Sequence, residues 1–297
     1  MFEIIKKPSN DTGVSDTELR ESIEKSIENK RDSLKKVLLL PPDLTRMHSQ
    51  AGKITAMYYD ILKDSCKVDI MPALGTHDPM TEEELTEMFG NDIPKKCFIA
   101  HNWRDDIVNI GEIPASFIKE VSGGLLDYPL NVEVNRRIMD ESYDLIISIG
   151  QIVPHEVVGM ANYSKNIFVG CGGSDIINKS HFLGAVYGME KLMGKDHSPV
   201  RKVFDYAEEH FLKDSPLMYV FTVTTVKKGK ANVEGLFIGR ERKLFESAVA
   251  LSQQKNLTFL NKPLKKVVVY LDEKEFKSTW LGNKAIYRTR MAIQDNG

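Results

Sequence analysis

Cysteine is scarce in this 297-residue chain: Cys66, Cys97 and Cys171 are odd in number, far apart and never in a CxxC pair. That excludes a disulfide framework and a zinc knuckle of structural type. It suits a reducing, cytoplasmic setting in which the three are small buried hydrophobes. Long apolar runs are missing as well. No stretch approaches the roughly 20 residues that a membrane-crossing helix needs, and the opening MFEIIKKPSNDTGVSDTELRES lacks a secretory apolar core. Charge of one sign is also lacking, since 40 Lys and Arg stand against 42 Asp and Glu. The basic residues do not gather into a stripe, so neither nucleic acid nor a membrane is an expected partner. There is no HExxH, no HxH and no internal repeat.

What is present is the balance of an ordinary globular protein, long enough for one large domain or two moderate ones. Short apolar runs alternate with helix-like segments. Lys36–Leu40, Val68–Leu74, Cys97–Ala100 and Asp144–Ile149 read as strands, and Gly52–Asp64 reads as a helix. Thr81 and Glu84 form a capping-box pattern that opens a helix through Met88, with Gly90-Asn91 ending it. Runs without polar alternation are covered on both faces, which predicts α/β architecture with a largely parallel sheet flanked by helices. Further on, Asn166–Val169 reads as a short strand, and His181–Leu192 and Val200–Leu212 as helices. Met218–Val226 and Asn232–Ile238 flank Lys-Lys-Gly-Lys as a hairpin, and Arg240–Gln254 is an amphipathic helix with a solvated charged start. Asn261-Lys262-Pro263 marks a boundary before a strand at Val267–Tyr270. The expected division is an N-terminal catalytic domain over 1–262 and the beginning of a second α/β domain over 263–297, too short for a core of its own.

Polar residues cluster where these strands end. The first runs into Asp43-Leu44-Thr45-Arg46, the second into Gly75-Thr76-His77-Asp78, the third into His101-Asn102-Trp103 and the fourth into Gln151 to His155. Ligands of open α/β sheets sit outside the carboxyl ends of strands, so these loops converge on one pocket. Two histidines on opposite sides of a substrate can exchange protons with either face, as stereochemical inversion requires. Arg46 suits a bidentate carboxylate contact, and Asp43 either anchors a ribose hydroxyl or fixes Arg46. His101 fits a structural loop better than a catalytic post. His48, His197 and His210 read as ordinary surface or helix residues. Gly170-Cys171-Gly172-Gly173-Ser174 is a glycine-rich turn that can bring backbone N–H groups to a phosphate, though it is neither a P-loop nor GxGxxG.

Three motifs then sharpen the reading: PDLTR at Pro42–Arg46, ALGTHDPMTEEE at Ala73–Glu84, and Gly150–His181, where PH is followed by a lysine ten residues on and a histidine sixteen beyond that. The chain resembles the nickel-dependent lactate racemase family, in the family's motif order and over most of its length. The resemblance implies a cofactor derived from nicotinic acid mononucleotide that carries nickel in a sulfur-carbon-sulfur pincer. Lys165 would be tethered to it through a thioamide, and His181 would ligate nickel. His77 and His155 would be the acid/base pair, Arg46 would bind the substrate carboxylate, and Asp43 and Thr45 would help hold the cofactor. The implied reaction removes hydride from C2 of a 2-hydroxy acid and returns it to the other face. Because C2–H is a poor acid, that chemistry needs an electrophilic organometallic centre, which soft sulfur and imidazole ligands suit. Enzymes that synthesise the cofactor are the implied partners.

Departures from the lactate enzymes bear on the substrate. A Ser-Gly-Gly stretch before the tethering lysine is replaced by Ala161-Asn162-Tyr163-Ser164, and Tyr287–Met291 supplies arginines where the second domain has a Gln and a Lys. Both point away from lactate and toward longer hydroxy acids such as mannonate or gluconate. Family members are also longer, so the second domain is expected to be truncated. Two other readings stay open: a hydrolase or lyase assisted by zinc or another metal, and a relative that binds cofactor or hydroxy acid without turnover.

Overall fold

The computed structural model describes residues 3–9, 11–273, 276 and 278–297. The chain enters through strand β1 (Ile4–Lys6) and helix α1 (Asp16–Ile27), then alternates β2 (Lys36–Leu40), α2 (Ala51–Leu62), β3 (Lys67–Ile70) and α3 (Glu82–Phe89). Strands β4 (Ile107–Ile113) and β5 (Leu130–Asn135), joined through α4 (Ala115–Val121), precede the central strand β6 (Leu145–Gln151). Two-residue strands β7 (Pro154–His155) and β8 (Gly159–Met160) lead into α5 (Ser174–Tyr187) and α6 (Pro199–Phe211). The hairpin β9 (Leu217–Lys227) and β10 (Lys230–Gly239) is followed by α7 (Arg242–Asn256), α8 (Thr279–Gly282) and α9 (Lys284–Thr289).

Six strands form the main sheet in the order β1-β10-β9-β6-β2-β3. β3, β2, β6 and β9 run parallel, and β10 and then β1 extend the sheet through antiparallel pairings. This is the mostly parallel, helix-flanked α/β arrangement that the apolar runs predicted. Strand β2 shows why the runs are continuous. Val37 and Leu39 join the core on one face and Leu38 and Leu40 the core on the other, all four fully buried. Helices α1, α2 and α3 cover the first face. Helices α5, α6 and α7 and the β4–β5 pair cover the second. Among the described residues, no helix is long and apolar enough to cross a membrane.

Local signals held where they were chemical. The Thr81 hydroxyl accepts the Glu84 N–H at 3.2 Å and the Glu84 carboxylate accepts the Thr81 N–H at 3.0 Å, closing the capping box of α3. Four other expectations need correction. Cys97–Ala100 is not a strand: Lys95–Cys97 forms a 3-10 turn, and Phe98 alone bridges to Ile70. Asn166–Gly170 is a buried π-helical turn, because its apolar side chains meet the core from a turn and not from a ladder. Val267–Tyr270 forms no strand; Val268 and Tyr270 are 86% and 85% exposed. The nearest pairing to that stretch is a single bridge between Leu264 and Ile293. Helix α5 begins at Ser174, so His181 lies well inside it and not at its start.

Candidate active site

The loops after β2 and β3 are laced together beyond the regular sheet. The Ala73 N–H donates to the Pro41 carbonyl at 2.8 Å and Pro42 bridges to Ala73. Gly75 then takes a positive φ of 59° and donates to the Gly170 carbonyl at 2.8 Å, where an added Cβ would lie 3.3 Å from the Val169 oxygen. This turn docks the His77 loop against the π-helical turn that starts just after Lys165. His77 Nδ1 lies 2.5 Å from Asp43 Oδ2, and the Thr45 hydroxyl donates to Asp43 Oδ1 at 2.5 Å. Burial raises the Asp43 carboxyl, but His77, the Thr45 hydroxyl and Arg46 more than offset it and hold it below its usual range. Asp43 is therefore ionised, and His77 donates Nδ1–H to it.

Lys165 is presented by a turn held from every side. Asn162 and Tyr163 both adopt left-handed backbone, with φ of 63° and 57°. Such geometry costs about 1–3 kcal/mol per non-glycine residue. What pins it is Arg201, fully buried, whose guanidinium donates to the Met160 and Asn162 carbonyls at 2.7 and 3.1 Å and to the Ser164 hydroxyl at 2.8 Å. The Tyr163 ring stacks on Phe245 at 4.9 Å, and the Ser164 hydroxyl donates to Asp205 at 3.1 Å. On the other side of Lys165, the Asn166 amide donates to the Leu40 carbonyl and the Ser148 hydroxyl, at 3.1 and 2.9 Å. The lysine's neighbour is thus tied to the end of β2 and the middle of β6. Burial first, then the charges of Arg46 and Lys284, push its amine down to about 7 against the pull of Glu156.

His155 and His181 meet around the same charges. His155 is buried, and its Nδ1 accepts the N–H groups of Val157 and Val158 at 3.1 and 3.3 Å. Burial holds it well below the usual histidine range; Lys165, Arg46 and Lys284 add to this, and Glu156 opposes it. His181 donates Nδ1–H to the Ile177 carbonyl at 2.7 Å, one turn back in α5, so its Nε2 lone pair is uncommitted within that bond. It too lies below its usual value, by burial first and by Lys165, with the Ile177 bond and Glu156 opposing. Gly184 lets α5 approach this region: a Cβ there would stand 2.9 Å from the Val157 side chain and 3.0 Å from its carbonyl oxygen.

Two cavities open beside these residues and share Thr45 and His48. One, of ≈ 650 Å³, has Asp43, His77 and Asp78 in its wall. The other, of ≈ 420 Å³, has Arg46, Gln151, His155, Thr224, Lys284 and Arg288. Lys165 and His181 line neither; the charges of Lys165 and Glu156 act on both His155 and His181. Asp43, Thr45, Arg46, His77, His155, Lys165 and His181 thus belong to one connected region.

Sequence reasoning missed Glu156, Lys284, Arg201 and the cavity position of His48. Glu156 adjoins a motif histidine and was legible by position. Its carboxyl is raised by burial but drawn down to about 2 by His155, Lys284 and Arg288. Lys284 lines the second cavity from α9, just ahead of the Tyr287–Met291 stretch that the sequence singled out for its arginines, and no spacing signal marks it. His101 is structural. It is 3% exposed, donates from Nε2 to the Gly172 carbonyl at 3.2 Å and accepts the Asn135 amide at Nδ1 at 3.0 Å. The glycine-rich turn does not offer α5 to a phosphate, because the Glu133 carboxylate already accepts the Asp175 N–H at 2.9 Å.

A sequence profile of the lactate racemase N-terminal domain matches residues 4–193, more than half of the chain. The chain belongs to the lactate racemase family. A crystal structure of a Thermotoga maritima protein superposes on this family member with a TM-score of 0.85 at 24% identity, covering 95% of this chain and 68% of that one. The lactate racemase apoprotein from Thermoanaerobacterium thermosaccharolyticum superposes at 0.58 and 21% identity, covering 81% of this chain and 55% of that one. At these identities the two structures bear on the fold alone. The chain spans little more than half the length of the lactate racemase apoprotein. No curated protein matches it in sequence.

Proposed function

We propose that this chain is an isomerase that inverts C2 of a 2-hydroxy acid with a nickel-pincer nucleotide as its cofactor. The observation that carries the reading is the donor chemistry around Lys165 and His181. An amine pushed down to about 7 is substantially neutral at physiological pH, as formation of an amide-like tether requires. A histidine that gives Nδ1–H to a backbone carbonyl keeps Nε2 for a metal, the usual orienting bond of metal-binding histidines. The residues present therefore fit the cofactor. Lys165 would hold it covalently, His181 would ligate nickel, and Asp43 and Thr45, in the wall of the larger cavity, would help hold it. The group, once bound, supplies a reversible hydride acceptor.

The chain's own part is to bind, orient and move a proton. Arg46 and Lys284 would hold the substrate carboxylate beside His155, with Arg288 in the wall of the same cavity. His77 and His155 would handle the C2 hydroxyl. The hydroxyl and amide groups of Thr45, Gln151, Thr224 and Thr225 in that wall favour a polyhydroxylated acid over lactate. A zinc hydrolase draws no support from this site. Among the described residues, a set of three or more His, Cys, Asp or Glu groups within ligand reach of one another is found at Asp196, His197 and Glu246, outside this site, and Arg242 already lies against all three.

The test is turnover by protein co-expressed with cofactor-synthesis enzymes, on a panel of 2-hydroxy acids resolved by chiral chromatography. Epimerisation of a sugar acid in preference to lactate supports the reading. Loaded protein that turns over none of the panel is a binding relative instead.

A further inference from the structure

We infer that Glu156 selects the substrate of the second cavity: its carboxylate accepts two neighbouring hydroxyls beyond C2, while the cavity's cations hold the acid group. The inference rests on the hydroxy-acid reading above and names the residue that favours a polyhydroxylated acid.

Glu156 stands first in the three-residue turn that joins β7 to β8. That turn is stiff. Its Val157 and Val158 N–H groups both donate to His155, and Gly159 closes it with a positive φ of 91°, where a Cβ would lie 2.0 Å from the Lys195 carbonyl oxygen. Glu156 is 7% exposed and lies in the wall of the ≈ 420 Å³ cavity. Burial raises its carboxyl, but His155, Lys284, its own N–H and Arg288 draw it down to about 2. With His155 neutral, the charges of Lys284 and Arg288 keep it ionised. Among the described residues, no other side chain hydrogen-bonds to it and no cation forms an ion pair with it. A carboxylate has two oxygens that only accept, and leaving them unfilled in a buried wall is costly. Its place at the cavity lets a ligand supply the donors.

The rest of the wall decides which donors come. Arg46, Lys284 and Arg288 line the same cavity, and Glu156 is its one acidic residue among those described. Three cations against one anion attract an acid group and repel an ammonium group, so the donors that reach Glu156 are neutral. Adjacent hydroxyls fit: two O–H groups on neighbouring carbons can meet the two carboxylate oxygens in charge-assisted bonds. Lactate has no hydroxyl beyond C2 and leaves both oxygens unfilled. The cavity volume lies within the range of small-molecule sites and suits a longer chain.

Calorimetric titration of the full, unloaded chain with gluconate and with 2-hydroxyhexanoate compares two acids of equal length that differ in the hydroxyls beyond C2. Wild-type protein should prefer gluconate by about 10-fold to 100-fold, the worth of hydroxyl bonds to a charged acceptor. Glu156→Leu should abolish that preference, and Glu156→Gln, which keeps one acceptor oxygen in the same shape, should retain part of it. Both variants lose a negative charge, so both should bind 2-hydroxyhexanoate at least as tightly as wild type does, which also shows an intact cavity. A carboxylate that merely offset the cations would change both affinities alike and leave the ratio unmoved; that result overturns the inference, as does a wild type that binds the two acids equally. Nicotinic acid mononucleotide is titrated in parallel. If Glu156→Leu weakens its binding and spares that of gluconate, Glu156 holds a ribose diol and the inference fails. Binding of neither acid overturns both the inference and the hydroxy-acid reading of this cavity. Loaded wild-type protein that binds gluconate but turns over neither acid overturns the proposed reaction alone, because the titration still shows whether Glu156 reads hydroxyls.

Discussion

At the scale of single residues, the buried charges decide most. Arg201 satisfies two backbone carbonyls and a hydroxyl in the turn before Lys165, so Arg201→Met leaves them without donors in a site closed to water. The expected loss in a urea titration is about 3–5 kcal/mol, with Arg201→Lys recovering part of it. Glu208 is the counterpart on α6. Burial pushes its carboxyl from 4.5 up to about 7, against the nearby Tyr219 hydroxyl and the charge of Arg240. Between those two values the folded protein binds more protons than the unfolded chain, so stability falls as pH rises. The penalty is fully present above pH 7. Glu208→Gln should therefore raise the melting temperature at pH 8 and leave it nearly unchanged at pH 4, by differential scanning calorimetry. An equal gain at both would contradict the buried-carboxylate account. Of these residues the sequence marked the motif ones, because ligand-type side chains at strand ends and fixed spacings are visible without coordinates. Arg201 and Glu208 were not marked, since a charged residue inside an amphipathic helix looks the same whether it faces solvent or a buried turn.

At the scale of elements, the question is how α5 and the π-helical turn deliver His181 and Lys165. Gly184 is the contact point between α5 and the turn that carries His155. Gly184→Leu should push the helix outward and cost about 1–3 kcal/mol by overpacking. It should also weaken nickel binding, measured by calorimetric titration, more than a change of similar volume at the exposed Phe182 of the same helix. The strands and helices of the sheet were legible because burial on both faces writes a continuous apolar run. Asn166–Val169 reads as a strand for the same reason, though it lies in the π-helical turn. Its Ile-Phe-Val run satisfies the core, and periodicity does not tell a buried turn from a buried strand in five residues. Val267–Tyr270 failed differently: the run has strand propensity but, among the described residues, no adjacent strand completes its ladder. In the β4–β5 pair, β4 lacks a buried–exposed alternation, whereas β5 does alternate, with Leu130, Val132 and Val134 buried between half-buried Asn131 and Glu133, and was legible by pattern.

For the whole molecule, the account holds that stability is given up around Lys165 so that its amine can react. With its amine at about 7 in place of 10.5, the folded chain binds fewer protons than the unfolded chain between those values. Stability therefore rises with pH across that window, and the full cost is carried below pH 7. Lys165→Met should stabilise the unloaded protein at pH 6, by an amount that shrinks toward zero near pH 10. The measurement that bears most directly on the central claim is intact-protein mass spectrometry with metal analysis, after co-expression with cofactor-synthesis enzymes. The account predicts an adduct of several hundred daltons that maps to Lys165, with one nickel per chain, both absent from Lys165→Met. An unmodified Lys165 in that preparation, with zinc bound tightly in place of nickel, would contradict it.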